Sequence, residues 1–175
     1  MPSSYSDAPG AGEHAPYYAR YTALVPPGDI IATLERQSEE TARFLAGLTP
    51  DQAAHRYAPG KWSIKEIIGH LTDAERIFAH RALRLARGDA TPLPGFDETV
   101  YTPAGEFDDR TLEDVAADLR AARASTVALF HGLPAHAMTR AGTASDAHVT
   151  VRALAWITAG HELHHLNVIR ERYLA

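Results

Sequence analysis

Four stretches of this chain place apolar residues three and four apart, and each opens on a residue suited to capping a helix. After Pro26-Pro27-Gly28, Asp29 caps a run of Ile31, Leu34, Ser38, Thr41, Phe44, Leu45 and Leu48 that Pro50 closes. Ser63-Ile64-Lys65-Glu66 fits a capping box, in which serine hydroxyl and glutamate each satisfy a free backbone N–H. It starts an apolar arc of Ile64, Ile67, Ile68, Leu71, Ala74, Ile77, Phe78 and Leu85, which Gly88 ends. Thr111-Leu112-Glu113-Asp114 opens a third stripe, Leu112, Val115, Leu119, Ala122, Thr126, Leu129 and Leu133, which Pro134 terminates. Thr150 caps the fourth, Val151, Leu154, Thr158, His161, His165 and Val168, with Val149 and Leu154 spaced as a hydrophobic staple. The sequence shows no strand alternation and no internal repeat. It predicts an all-α four-helix bundle over residues 29–175.

Two segments lie outside the stripes. Residues 1–28 are rich in Ser, Pro, Gly and Tyr without helical periodicity, and read as an extended segment that lies over the domain or is partly disordered. Residues 88–110 hold three prolines, three glycines and several acids, again without a period. A connection this long is either a lid or crossover with a function, or a plain span along the bundle.

Composition narrows the chemistry. A net charge of −5 leaves no electrostatic footprint for nucleic acid. No run approaches the ~20 apolar residues of a membrane span, and Met1 to Gly12 lacks the pattern of a signal peptide, so a cytoplasmic protein is expected. The chain has no cysteine, which excludes disulfides, thiolate–metal sites and a protein thiol nucleophile. Any metal must therefore be held by His, Asp, Glu or water.

The fourth stripe offers the ligands. In Gly160-His161-Glu162-Leu163-His164-His165-Leu166, His161 and His165 are four apart, so they share one helical face about 40° from each other. That face is otherwise apolar, and facing helices of a bundle build metal sites in its interior. His70 is the matching residue on the second stripe, between Ile67 and Ala74. His14 falls in the N-terminal segment, His55, His136 and His148 fall in loops, His131 lies at a helix end, and His80 is about 80° off the His70 direction. His164, three from His161, can replace His165 or flank the stripe. Three neutral imidazoles with open positions suit Zn²⁺, Ni²⁺ or a similar divalent ion. The competing reading is that these are hydrogen-bonded core histidines.

Asp73 and Glu75 stand close to His70 and can transfer a proton or orient an imidazole, as can Glu66, though its capping role already accounts for it. Each is equally an ordinary helix carboxylate. Glu75, on the apolar arc, needs an arginine or the metal pocket to offset its charge. Trp62, Phe96 and Tyr101 can line a pocket or simply pack.

With these residues in place, the chain resembles the DinB/YfiT-like superfamily from about Tyr18 to Tyr173. The likeness rests on Tyr57-Ala58-Pro59-Gly60-Lys61-Trp62-Ser63 and on Gly69-His70-Leu71-Thr72-Asp73-Ala74-Glu75-Arg76. Arg87-Gly88-Asp89 with Pro92-Leu93-Pro94-Gly95-Phe96-Asp97, and Ala159 to Leu166, complete it. The resemblance implies an up-down-down-up bundle with a long crossover between its second and third helices. It implies a divalent ion on His70, His161 and His165, and an assembly that is often a homodimer. Relatives of this kind include S-transferases and isomerases that use a low-molecular-weight thiol such as bacillithiol or mycothiol, in detoxification or stress response. The expected function is metal-dependent S-transfer to a small-molecule substrate, with the ion lowering the pKa of a thiol. The alternatives on the same residues are a metal-dependent hydrolase and a non-enzymatic stress-response protein in which the ion ties two helices together.

Overall fold

The computed structural model describes residues 5–175. Its long helices are α2 (Ile30–Ala46), α4 (Ile64–Ala86), α6 (Leu112–His131) and α7 (Val151–Val168). Shorter ones are α1 (Ala19–Thr22), α3 (Pro50–Ala54) and α5 (Glu98–Ala104). All four long helices begin on the caps read from the sequence. The Asp29 carboxylate accepts from the N–H of Ile31 at 2.8 Å, and Thr111 Oγ1 from that of Asp114 at 3.1 Å. Ser63 and Glu66 complete their reciprocal box, and Thr150 Oγ1 accepts from Ala153 N–H at 3.0 Å. Each cap satisfies donors that the first helical turn otherwise leaves open.

The helix directions follow from two apolar clusters at opposite ends of the bundle. One gathers Ile30, Ile31 and Leu34 of α2, Phe78, Ala82 and Leu85 of α4, Phe130 of α6, and Val151 to Ala159 of α7. The other gathers Leu45, then Ile64, Ile67, Ile68 and Leu71, then Val115 and Leu119, then Leu166 and Ile169. Thus α2 and α7 run from the first cluster to the second, and α4 and α6 run back. This is the up-down-down-up order, and the parallel pair α4 and α6 requires the long crossover. Buried polar side chains sit between the clusters on every long helix: Gln37 and Thr41, His70 and Glu75, Arg123 and Thr126, His161 and Glu162.

The crossover is structured, not a bare span. It contains α5 and a 3-10 turn at Phe107–Asp109, and the Phe107 ring lies against α4 where Gly69 has no side chain. A Cβ on Gly69 would fall 2.4 Å from that ring, so the crossover packs one residue from His70 only because position 69 is bare.

One expectation is corrected. A small hairpin, β1 (Ala141–Ala144) and β2 (Ala147–Thr150), precedes α7 where no strand was foreseen. Its two-residue turn holds Ser145 and Asp146 at φ of 50° and 59°, the left-handed geometry that twisted hairpins need. Four-residue strands and a Ser-Asp turn carry little alternation and no Asn-Gly signal.

The N-terminal segment, read from the sequence as a tail that lies over the domain or is partly disordered, lies across the start of α7 where it is described. Ala11–Glu13 and Pro16–Tyr18 form 3-10 turns that lead into α1. Glu13 accepts from Thr150 Oγ1 at 2.8 Å and pairs with the Arg152 guanidinium, fixing the segment to the start of α7. Tyr5 Oη donates to the carbonyl of Leu133 at 2.6 Å. Met1 to Ser4 lie outside the described residues.

Gly160 makes this docking possible. A Cβ there would meet the Tyr21 carbonyl oxygen at 2.1 Å, and backbone cannot swing aside as a side chain can. Gly160→Ala is therefore expected to displace α1 from α7 and to cost about 1–3 kcal/mol, the usual penalty of overpacking. Faster amide exchange over residues 15–25, with α4 and α6 unchanged, is the expected readout; exchange as slow as in the parent would contradict it.

Candidate metal centre

His70 reaches the bundle interior from the second turn of α4, and His161 and His165 reach it from successive turns of α7. The first two are 7% exposed and the third is half-buried. His161 Nε2 lies 3.1 Å from His70 Nε2 and 3.1 Å from His165 Nε2. One nitrogen of each ring falls within 4.8 Å of the others, and the rings stand at 69° to 81° to one another.

A hydrogen-bonded core does not explain this convergence well. A neutral imidazole nitrogen carries either a proton or one lone pair, so His161 Nε2 cannot make two good bonds to two neighbours. A shared cation is a better match. Ligand bonds of about 2.0–2.1 Å at a tetrahedral angle put the nitrogens about 3.3 Å apart, close to the observed spacing. The residues present therefore fit a divalent ion.

Electrostatics favour ligation as well. Burial pushes His70 down to about 4, against a small opposing effect from Glu98. Burial, reinforced by the neighbouring histidines, takes His165 to about 3 and His161 well below the ordinary imidazole value. All three are thus neutral at pH 7, with lone pairs available. The sign of the pH effect follows. Folded values below the unfolded value of about 6.5 mean that the stabilisation is fully present above that pH. It is lost as the pH falls through about 4. The metal-free protein is expected to melt at a steadily lower temperature from about pH 6.5 to about pH 4, and His165→Leu to flatten that slope. Thermal melts across a pH series check this; parallel slopes would refute it.

The histidines open onto two hollows. One, about 350 Å³, is walled by Tyr17, Tyr18 and Tyr21 from the N-terminal segment and by Phe78, Phe96 and Glu98. The other, about 370 Å³, is walled by Tyr57, Lys61, Ile67 and Tyr173. Trp62, His164 and His165 line both. Trp62 stands 5.0 Å from the His70 ring, and its carbonyl accepts from Tyr173 Oη at 2.7 Å. The Tyr21 ring meets His161 at 5.2 Å and His164 at 5.3 Å.

The sequence candidates separate clearly. His70, His161 and His165 come together, while His164 turns to the hollows and stays outside the trio. Glu75 is 3% exposed and gives both carboxylate oxygens to Arg123, at 2.7 and 2.9 Å. Asp73 faces Arg76 at 3.5 Å and lines neither hollow. Glu66 is occupied by its cap and by Arg56. Trp62 and Phe96 line the cavity, whereas Tyr101 packs on Phe96 from outside. Sequence reasoning missed Tyr17, Tyr18, Arg20, Tyr21, Glu98 and Ser145. Only Gly160, bare in the middle of a helix, signalled that another segment approaches there.

Comparison with known proteins agrees with this architecture. A search of curated proteins gives no match. Among solved structures the chain is similar to YfiT from Bacillus subtilis, described as a probable metal-dependent hydrolase with an unusual four-helix bundle topology. The two share 18% identity and superpose with a TM-score of 0.71 over 81% of this chain and 82% of that one, a likeness of fold. The family model of the DinB superfamily matches residues 33–169, which include all four long-helix cores and the three histidines. The chain belongs to the DinB superfamily.

Proposed function

We propose that this protein is a divalent-metal-dependent enzyme acting on a small molecule, with His70, His161 and His165 holding the ion. The observation that carries the reading is the convergence of three neutral imidazoles at 3.1 Å spacings beside open hollows. A buried, closed cluster would serve structure alone; an open one leaves room for a reactant. When bound, Zn²⁺ or Ni²⁺ lowers the pKa of a coordinated nucleophile, water or thiol.

The chain's own residues do the rest. Trp62, Tyr21 and Phe78 pack around the imidazoles and keep bulk water from their edges. His164, half-buried where the hollows meet, is placed to take a proton from an incoming nucleophile at a ring nitrogen. Asp73 and Glu75 are engaged elsewhere, so neither is assigned to the chemistry.

The finer reading is S-transfer from a low-molecular-weight thiol such as bacillithiol to an electrophile, a detoxifying reaction. Two hollows flanking one histidine cluster give each of two reactants its own place, and a chain without cysteine needs its thiol from outside. Hydrolysis is the second reading, favoured by the description of the YfiT fold neighbour. Water needs no hollow of its own.

Metal-loaded protein incubated with candidate thiols and monochlorobimane tests the first reading. Conjugation above the level of the His161→Ala variant is expected. Turnover of esters or amides without thiol would replace it with hydrolysis. No turnover at all, with a large fall in melting temperature on chelation, would leave the ion a tie between α4 and α7.

A further inference from the structure

Resting on that reading of the site, we propose that Arg20 anchors an anionic group, a carboxylate or a similar small oxyanion, on the molecule that occupies the hollow walled by Tyr17, Tyr18 and Tyr21. Arg20 lines this hollow together with His70, His161, His164 and His165. It comes from α1, the element that Gly160 admits against α7.

Its guanidinium is held in place before any ligand arrives. The central carbon lies 4.0 Å from the Tyr17 ring centroid and 4.7 Å from that of Tyr21. One terminal nitrogen donates to Tyr21 Oη at 2.7 Å. A guanidinium has five N–H donors, and that bond uses one of them. No carboxylate lies within ion-pair distance of Arg20 among the described residues, in contrast to Arg123 and Arg152. An ordinary surface arginine keeps its rotamer freedom in water. This one has surrendered it to two aromatic faces while leaving most of its donors unused.

The charge pattern of the hollow gives the ligand a direction. Arg20 acts electrostatically on His161, His164 and His165, and Glu98, which also lines the hollow, acts on His70. An anion is drawn to the Arg20 end and repelled from the Glu98 end. A planar fork of donors fits a carboxylate in two-point contact, which a point-charge ammonium does not.

Calorimetric titration of two probes tests this: 3-mercaptopropionate and its neutral amide, 3-mercaptopropionamide. The full chain is titrated in Zn²⁺-loaded and metal-free forms. In the parent, the carboxylate is expected to bind roughly fivefold more tightly than the amide, the scale of a partly solvated charged hydrogen bond. Arg20→Gln should bring the ratio close to one without changing the amide affinity, and Arg20→Lys should recover only part of it. Equal affinities in the parent, or an unchanged ratio in Arg20→Gln, would overturn the proposal. So would failure of both probes to bind either form. A protein that takes up no Zn²⁺ defeats the metal reading alone, because the probe ratio is still measured on the metal-free chain. Both Arg20 variants alter an exposed side chain, and unchanged melting temperatures confirm that they fold.

Discussion

Replacing His161 with alanine is expected to abolish stoichiometric binding of Zn²⁺ or Ni²⁺, a loss of affinity of at least about 100-fold. Changes to residues that merely support metal ligands already cost 10–100-fold, and His161 is the centre of the trio. Its Nε2 is the atom that lies 3.1 Å from both of the others. Without it, His70 and His165 remain with ring centroids 5.0 Å apart, and two imidazoles hold a divalent ion weakly. His164→Ala, one turn away on the same helix, should keep full metal content because that ring is outside the trio. The contrast separates loss of a ligand from loss of local packing. Metal content after dialysis and calorimetric titration read the result, with far-UV circular dichroism as the check on folding. A His161→Ala protein that still binds one equivalent as tightly as the parent would remove the basis for a three-histidine centre.

What could be read from the chain, and what could not, divides by range of interaction. Asp29, Ser63, Thr111 and Thr150 each act within one helical turn, so the starts of all four long helices were visible in the sequence. His161 and His165 are likewise related by helical geometry alone. His70 was found because its helix face is apolar on both sides. The wall of the cavity is different. Tyr17, Arg20 and Tyr21 meet α7 across about 140 residues of chain, and short turns rich in Pro and Tyr carry no periodicity to announce it. The acids show the same limit. Spacing placed Asp73 and Glu75 near His70, but which way a carboxylate turns depends on the arginine it finds. For Asp73 that is Arg76, three residues along; for Glu75 it is Arg123, 48 residues away.

That distant partner is the basis of the second large effect. Arg123, 2% exposed, donates to both oxygens of Glu75, to Glu162 Oε2 and to the carbonyl of Leu34 at 3.1 Å. Thr41 Oγ1 donates to the other oxygen of Glu162. One guanidinium thus joins α2, α4, α6 and α7 in the layer that also carries the histidines, and Glu162 directly follows His161. Arg123→Met is expected to destabilise the protein by about 3–5 kcal/mol, because it strands two carboxylates in an apolar core. For a chain of this size that corresponds to a fall in melting temperature on the order of 10 °C. Removing all three charges at once, as Arg123→Met with Glu75→Gln and Glu162→Gln, should recover much of the loss, because no charge is then left unpaired. Thermal and urea melts of the single and triple variants decide the matter. If Arg123→Met melts within 2 °C of the parent, a margin well inside the ~10 °C expected, the network does not hold the four helices in register, and the placement of Glu162 beside His161 loses its structural explanation.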